Sequence, residues 1–465
     1  MLGLRISRWL AGLRQTVPAR GPQPSGAPLR SLRASPPPGA PLAPVRARTP
    51  GEEQAEAVEQ LRRRAHNDPV TGLPNRRHLL GRLRGVLAEP GASGAGLLIL
   101  RVLDVEGRRK QLGSDGTARV LGAVADVLTA YPRRVTGAFA GRLNESDFAL
   151  YLPVQGLADE TAQTLMRALR ASPVASAAGV ELVVGGVDGL GDESVGTALA
   201  AADHALAQAE AAGPFCAEVH LAGSAESLPL GERCWRVRID EALSEGRTSL
   251  GEFAVRNREG ALLHLECPLR VQLEVGGPFR DARHWLPMAS RSRLLPRVDL
   301  IAIELALQAI ARDGLQRCVH VSTASLATAG FVGEVQRRLQ AEPEACTKLW
   351  IEVAECSALE RALPRLREAG AAWRLHGVHL GVEHAGASMP GLARLGECGL
   401  DHLKVELRFV RGLHHDTAVR AFASGLLALA HALDMRVIAA GVDSPRDLEA
   451  LWALGFDGAT GPAVS

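Results

Sequence analysis

Carboxylates recur at the ends of predicted strands in the second half of the chain. They lie in four short segments, LHLECPLR (263–270), LWIEVAE (349–355), LGVEHAG (380–386) and DHLKVEL (401–407). The acids are Glu266, Glu352, Glu383 and Glu406. Carboxylates that converge at one face of a sheet are typical of a divalent-cation site, although each acid alone could instead pair with an arginine at the rim.

A fifth segment breaks this pattern. RVIAAGVD (436–443) has Ala440 where such a site would need another carboxylate. Two-metal chemistry requires both cations in place. A site that keeps only part of its ligands therefore favours binding of a ligand over its chemical conversion.

The lysine inside DHLKVEL adds a second kind of reactive group. Lys and Arg together number 53, and only Lys110, Lys348 and Lys404 are lysines. In a chain that uses arginine by default, a lysine is either an accident or a place that needs a compact, titratable ammonium. Lys404 lies inside an apolar strand pattern, unlike the other two lysines, and this favours a functional role.

Regular alternation of strands and helices predicts the element that gathers these groups. From about residue 228 to the end, apolar runs of strand length alternate with segments of helical periodicity. The predicted strands include 319–323, 349–355, 379–386, 402–407, 436–442 and 459–464. A repeated βα unit of this total length predicts a closed (β/α)8 barrel, whose functional face lies at the carboxyl ends of the strands.

The first half of the chain predicts a different α/β unit and two lead-in segments. Residues 67–225 mix strands and helices in an order that suggests an α/β sandwich. Residues 51–66 read as a charged helix, either a signalling helix or a solvated lead-in. Residues 1–50 form an Arg- and Pro-rich tail that is expected to be disordered. Within that tail, residues 2–15 fit either a basic amphipathic helix at a membrane surface or a disordered leader.

Charge and cysteine content exclude several classes of protein. The net charge is +2, and residues 1–50 contain eight arginines and no acid, so the remainder is near −6 (2 − 8). The folded part is therefore not a basic, nucleic-acid-binding body. The 7 cysteines form no C-x-x-C pair, which favours free thiols in a reducing compartment. No apolar run is long enough to span a membrane.

Two motif sets resemble a known pair of signalling domains. DPVTGLPNRRHLLGRL (68–83) and AGRLNESDFALYLP (140–153) resemble the GGDEF domain, the diguanylate cyclase fold. LECPLR, the acids at the strand ends, LKVE and AAGVD resemble the EAL domain, a barrel that hydrolyses cyclic-di-GMP. The resemblance implies a nucleotidyl-cyclase-like α/β sandwich at 67–225, followed by a TIM-type EAL barrel at 228–465.

The GGDEF half departs from its family at the positions that carry the chemistry. The five signature positions hold Asn144, Glu145, Ser146, Asp147 and Phe148. A metal-binding aspartate of the family falls at about Arg101, so a cation stands where Mg²⁺ would bind. Cyclisation needs a metal to neutralise the triphosphate. We therefore expect no cyclase activity.

The EAL half keeps part of its family's site. The resemblance assigns nucleotide binding to Glu266, Leu269, Arg270 and Lys404. It assigns a residual Mg²⁺ or Mn²⁺ site to Glu266, Glu352, Glu383 and Glu406. If the domain is active, it assigns catalysis to Lys404. Ser322 is placed at the family's ligating asparagine, and Glu383 with His384 at its paired aspartates. Ala440 and Thr460 replace a glutamate and a glutamine, which argues against a two-metal site.

These departures are similar to those of the LapD-like class, which are inner-membrane receptors with an inactive EAL domain. The chain shows no membrane-spanning or periplasmic part of that class, so we expect a cytoplasmic protein, in one reading peripheral at the inner membrane.

Three functions are compatible with the sequence. They are a cyclic-di-GMP receptor that relays binding through GGDEF/EAL rearrangement, a weak metal-dependent phosphodiesterase that yields pGpG, and a nucleotide-independent interaction protein whose barrel mouth is blocked, for example by Trp285 or Phe253. The downstream partner is unknown, and the family implies a homodimer.

Overall fold

The computed structural model describes residues 65–89, 94–224, 230–354, 359–385, 395 and 398–464. The predicted tail at 1–50 and nearly all of the predicted helix at 51–66 lie outside these residues. Among the helices that are described, none is both long and apolar enough to cross a membrane.

The first domain is a five-stranded sheet with helices on both faces. The sheet order is β2-β3-β1-β4-β5, and only the β4–β5 pair is parallel. Its elements are β1 Ala95–Val102, β2 Phe139–Arg142, β3 Asp147–Leu152, β4 Leu182–Leu190, β5 Ala217–Leu221, α1 Arg76–Leu87, α2 Val105–Thr129, α3 Ala158–Arg170, α4 Pro173–Ala177 and α5 Val195–Ala212. The predicted α/β sandwich is confirmed.

Alternating side chains of the central strands fill a core on each face of this sheet. Leu98 and Leu100 of β1 pack on one side with α2 and α3, whereas Leu97 and Ile99 pack on the other with α1 and α5. Gly185 lets α5 lie directly on β4, because a Cβ there would come within 2.0 Å of a backbone nitrogen of the helix. The α5 helix is thus fixed closely to the sheet.

The second domain is a closed eight-stranded barrel with an outer three-stranded sheet. The barrel strands are β7 Phe253–Arg256, β8 Leu262–Glu266, β11 Arg317–Val321, β12 Leu349–Ala354, β13 His379–Ala385, β14 His402–Val405, β15 Arg436–Ala439 and β16 Gly458–Ala459. The outer sheet comprises β6 Thr248–Leu250, β9 Leu269–Gln272 and β10 Phe279–Arg280. The helices are α6 Glu232–Ser244, α7 Ala282–Arg291, α8 Leu295–Asp313, α9 Thr323–Ala327, α10 Phe331–Ala341, α11 Pro343–Cys346, α12 Leu359–Arg374, α13 Thr417–Ala432 and α14 Pro445–Leu454.

The barrel confirms the predicted fold class, with one strand reversed. β7 pairs antiparallel with both β8 and β16, while the other neighbouring strands are parallel. The reason is local: a turn at Asn257–Gly260 joins β7 to β8, and a hairpin connection of this length forces antiparallel pairing. The simple βα repeat seen in the sequence did not predict this hairpin.

Candidate functional site

Lys404 lies at the centre of the barrel mouth and is held by carboxylates from other strands. Its Nζ donates to Glu266 Oε2 at 2.8 Å and to the Glu352 carboxylate, and lies 3.7 Å from Glu383 Oε2. The lysine side chain is only 7% exposed, and that of Glu352 is fully buried. The structure thus brings together Lys404 and three of the four predicted acids, on β8, β12, β13 and β14.

His320 is a second cation in the same cluster, and the sequence reasoning did not identify it. It lies on β11 between Val319 and Val321, which point into the surrounding core, so strand alternation turns the imidazole to the inside. Its Nε2 lies 3.3–3.4 Å from oxygens of Glu266, Glu352 and Glu383. A polar residue at an inward position of a barrel strand was the available signal.

A layer of buried histidines supports the two innermost carboxylates. His264 Nε2 lies 3.1 Å from Glu266 Oε1, and His402 Nε2 lies 2.9 Å from Glu352 Oε1. Both imidazoles are fully buried and pack on the Trp350 ring at centroid distances of 4.4 and 4.8 Å. Because each imidazole contacts a carboxylate oxygen, it fixes the orientation of that acid.

A glycine makes room for this arrangement. A Cβ at Gly381 would come within 2.2 Å of the His402 ring. The imidazole therefore occupies space that any side chain at this β13 position would take. The glycine in LGVEHAG is explained by packing rather than by backbone flexibility.

The two cations and the acids stabilise one another's charged forms. Burial alone would lower the pKa of Lys404, but the charges of Glu266 and Glu352 raise it well above its ordinary value. Burial also opposes a charged imidazole, yet the carboxylates, Glu383 first, raise the pKa of His320 to about 10. Lys404 Nζ and His320 Nε2 lie 3.4 Å apart, and both contact the same carboxylates.

Several predicted residues are not part of this cluster. Strand β14 ends at Val405, so Glu406 leaves the inward alternation, and its carboxylate pairs with Arg408 at 2.9 Å. Ser322 caps helix α9 and donates to Asp299 through both its backbone nitrogen and its hydroxyl. His320, and not Ser322, is thus the β11 side chain that faces the acids.

His384 faces away from the cluster of acids, although its ring stays close to Glu383. Its backbone is left-handed (φ 56°), its side chain is 56% exposed, and its Nε2 lies 3.7 Å from Glu383 Oε2. The β13–β14 register shifts between Val382 and Ala385, which accounts for the change of direction at this point. Glu383 therefore faces the mouth while His384 turns towards solvent.

A cavity of about 320 Å³ opens beside the cluster. His320 and Glu383 form its polar edge, and α7 and α8 supply most of the remaining wall. Leu269, a predicted ligand-binding residue, lines it as well. Trp285 lines the wall of the cavity and Phe253 is 50% exposed, so the structure does not show either residue filling the mouth, the arrangement that would favour the interaction-protein hypothesis.

Arg270 lies on β9, next in sequence to Leu269, which lines the cavity, but it is not among the lining residues itself. Its side chain is 37% exposed, and its Nε lies 3.0 Å from Asp281 Oδ1. The guanidinium also lies 6.0 Å from the centre of the Phe253 ring. An exposed arginine with a single carboxylate partner can exchange that partner for a phosphate oxygen of a ligand.

The residues at the mouth do not fit the two-magnesium site that an EAL domain implies. Mg²⁺ prefers oxygen ligands in octahedral geometry, whereas here an imidazole stands among the acids and an ammonium bonds two of them. Ala440 offers no ligand. His320, Glu352 and Glu383 do place ligand atoms within 4.8 Å of one another, a set that suits one transition-metal ion better than Mg²⁺.

The corresponding centre of the first domain is closed by an arginine. Arg101 donates to both oxygens of Asp147, from Nε at 2.7 Å and from Nη2 at 2.6 Å. Burial would raise the pKa of Asp147, but the hydrogen bonds and charge of Arg101 lower it below its ordinary value. Ser146 and Asn144 also donate to the same carboxylate. A guanidinium therefore occupies the place that the resemblance assigns to Mg²⁺.

Sequence profiles assign both domains. The profile of the EAL domain matches residues 240–465, and that of the diguanylate cyclase, GGDEF domain matches residues 65–214. The two matches together cover most of the chain. The chain therefore belongs to the proteins that carry GGDEF and EAL domains in tandem, as its motifs predicted.

Known relatives share this tandem at low identity. An uncharacterized protein of Azorhizobium caulinodans is 27% identical over 429 residues, 86% of this chain and 55% of that protein. The RNase E specificity factor CsrD of Escherichia coli is 22% identical over 430 residues, 86% of this chain and 63% of that protein. The chain thus spans between half and two thirds of these relatives' lengths.

A solved structure confirms the fold over nearly the whole chain. The S helix-GGDEF-EAL part of Vibrio cholerae LapD, bound to c-di-GMP, is 20% identical, with a TM-score of 0.75. The similarity covers 89% of this chain and 100% of that one. At this identity the similarity establishes the fold.

Proposed function

We propose that this protein is a cyclic-di-GMP receptor that binds the nucleotide in its EAL barrel without hydrolysing it. Leu269 and the cavity would take a guanine base, and Arg270 would bind a phosphate of the ligand. Lys404 would add positive charge close to the same phosphate. The solved LapD structure contains c-di-GMP, which supports the choice of ligand.

The observation that carries the proposal is the pair of internal cations at the mouth. Lys404 and His320 lie within 3.7 Å of the carboxylates that would otherwise bind metal. The acids are thus compensated without a divalent ion. A receptor with this mouth binds an anionic ligand beside fixed positive groups and has no need of Mg²⁺ for binding.

Calorimetric titration of the full chain with cyclic-di-GMP tests this directly. We expect binding whose affinity differs by less than about twofold between Mg²⁺ and EDTA, with intact nucleotide recovered afterwards. Arg270→Ala should weaken binding by about tenfold, the effect of losing a charge-assisted hydrogen bond of roughly 1.4 kcal/mol. Arg365→Ala is the control, because Arg365 lies on α12 and pairs with Glu368 away from the mouth. Unchanged affinity in Arg270→Ala would contradict the assigned site.

A weak phosphodiesterase is the second candidate, favoured by the His320–Glu352–Glu383 group. Their ligand atoms lie close enough for one cation. This function predicts slow release of pGpG with Mn²⁺ that disappears in Lys404→Ala. If the wild type forms pGpG and Lys404→Ala does not, the phosphodiesterase function replaces the receptor proposal. If the titration gives no heat and no product forms, the remaining function is that of a nucleotide-independent interaction protein.

We place this activity in the cytoplasm. The six cysteines that the structure describes are all free thiols, as expected in a reducing compartment.

A further inference from the structure

Four charged residues form a closed ring between the GGDEF domain and the EAL barrel. Arg101 Nη1 donates to Glu210 Oε1 at 2.7 Å, and Glu210 Oε2 accepts from Arg291 Nε at 2.8 Å. Arg291 Nη1 donates to Asp203 Oδ1 at 2.9 Å, and that oxygen lies 3.9 Å from Arg101 Nη2. Each carboxylate therefore lies between two guanidinium groups, one from each domain.

The ring starts at the former metal position of the GGDEF domain. Arg101 is fixed there by the two oxygens of Asp147, whose side chain is 6% exposed. Only one end of the guanidinium is used by this pair, so Nη1 is available to bind Glu210 on α5. An aspartate at position 101 would repel Glu210, whereas the arginine holds it.

The ring ends on the helix that walls the barrel cavity. Arg291 is the last residue of α7, and six residues of this helix line the cavity. Ala211, which follows Glu210 on α5, lines the same cavity. The GGDEF domain therefore contributes directly to the wall of the proposed ligand site.

Two side chains of α5 also hydrogen-bond to backbone carbonyls near the amino-terminal end of α7, opposite Arg291. His204 Nε2 donates to the carbonyl of His284 at 2.8 Å, and Gln208 Nε2 donates to that of Arg283 at 3.2 Å. His204 also stacks on Trp235 of α6 with ring centroids 4.9 Å apart. The ring thus belongs to an ordered contact along one side of α7.

The charged side chains of the ring are partly shielded from water. The four side chains are 14–30% exposed, so water screens the charges only in part. Removing one guanidinium would leave Glu210 and Asp203 close together with only one guanidinium between them, which costs more than the loss of an exposed surface pair. A charge change at Arg101 is therefore transmitted to Arg291 through Glu210.

We propose that the former cyclase centre now serves as an anchor: Arg101, through Glu210 and Asp203, fixes α7 of the barrel and so sets its affinity for the nucleotide. The affinity part of this proposal rests on the proposed receptor function. Domain docking through the ring does not, and it is measured separately. Arg101, Glu210 and Asp203 are positioning residues, because none of them needs to touch the ligand.

The first test measures docking in the full chain by small-angle X-ray scattering. Arg291→Glu places a third acid beside Glu210 and Asp203, and we expect an increased radius of gyration. Glu210→Gln keeps the side-chain shape but removes the charge, and should give a smaller increase. Arg365→Glu is the matched control and should leave the radius unchanged. Far-UV circular dichroism checks that each variant is folded, and an unchanged radius in both folded ring variants would overturn the proposal.

The second test measures cyclic-di-GMP affinity in the same variants. We expect Arg291→Glu to raise Kd at least fivefold, and Arg101→Met to raise it although Arg101 lies in the other domain. The Arg101→Met and Glu210→Gln effects should be less than additive, since one acts through the other. An opened chain with unchanged affinity would overturn the coupling. If the wild type does not bind, the receptor function fails, and scattering alone decides whether the ring docks the domains.

Discussion

The GGDEF and EAL domains of this protein each hold side-chain cations beside buried carboxylates, but with different results. In the GGDEF domain, Arg101 binds both oxygens of Asp147 and the centre is closed. In the EAL domain, Lys404 and His320 lie among three acids beside an open cavity of about 320 Å³. The first centre has become part of a domain contact, and the second keeps room for a ligand.

The choice of cation accounts for much of this difference. A guanidinium is planar and presents several donors, so Arg101 can bind Asp147 and Glu210 at once and join two elements. An ammonium is compact, and Lys404 compensates the inner carboxylates without filling the mouth. A side-chain cation beside buried carboxylates can therefore either close such a centre or leave it open.

The strongest test of this contrast removes the cation that keeps the mouth together. Lys404→Met leaves Glu266 and Glu352 buried beside each other without the ammonium, and with imidazoles as their remaining partners. Removal of one partner from a buried ion pair typically costs about 3–5 kcal/mol of unfolding free energy. Urea unfolding followed by circular dichroism measures this loss.

Lys348→Met is the control, because Lys348 is exposed on the loop before β12. We expect a change below about 0.5 kcal/mol for that variant. Equal stabilities of Lys404→Met and Lys348→Met would mean that His320 alone compensates the acids, and the description of a two-cation mouth would then be wrong.

A second test uses the buried aspartates of the two regions, which respond to pH in opposite directions. Asp147 has an arginine partner, and its pKa is lowered. Asp299 lines the cavity and accepts hydrogen bonds from Ser322, and burial raises its pKa to about 6. The unfolded value is about 3.9 for both.

The pH dependence of the stability that Asp299 contributes follows from proton binding in the folded and unfolded states. Between about pH 4 and 6 the folded protein holds a proton on Asp299 that the unfolded chain has released, so this group's contribution to stability falls as pH rises. The total loss is on the order of 3 kcal/mol above pH 6. Asp299→Asn should therefore gain stability relative to the wild type across this window, measured by urea unfolding at several pH values.

Asp147 supplies the opposite case. Its contribution is present above about pH 4 and is lost as pH falls through its lowered folded pKa. The exposed Asp115→Asn variant should show neither trend. A pH-independent difference between Asp299→Asn and the wild type would show that Asp299 is ionised in the folded state throughout.

The sequence predicted the barrel and much of its mouth because both depend on repeated patterns. Alternation of strands and helices indicated the fold, and acids at successive strand ends indicated that Glu266, Glu352 and Glu383 would meet. Lys404 was distinguished by its rarity and its apolar surroundings. Each of these signals is local to one segment, which is why it could be read without coordinates.

The features that were missed depend on contacts between distant segments. His320 was overlooked because a histidine in a short apolar strand gives no indication of which side chains it will face. Glu406 was included as a carboxylate at the end of the strand predicted in DHLKVEL, yet the strand ends before it and its side chain turns to Arg408. The ring through Glu210 and Arg291 joins positions 81 residues apart, and no periodicity connects them.

The smallest expected effect concerns the geometry of the cation in the closed centre. Arg101→Lys keeps the positive charge, but an ammonium cannot bind both oxygens of Asp147 and also reach Glu210 as the guanidinium does. We expect a loss of about 1 kcal/mol of unfolding free energy. The matched control is Arg109→Lys, because Arg109 is 46% exposed and makes one long contact with Glu145 at 3.4 Å, so its loss should be near zero. Equal unfolding free energies for the two variants would show that charge alone closes the GGDEF centre and that the geometry of arginine contributes nothing.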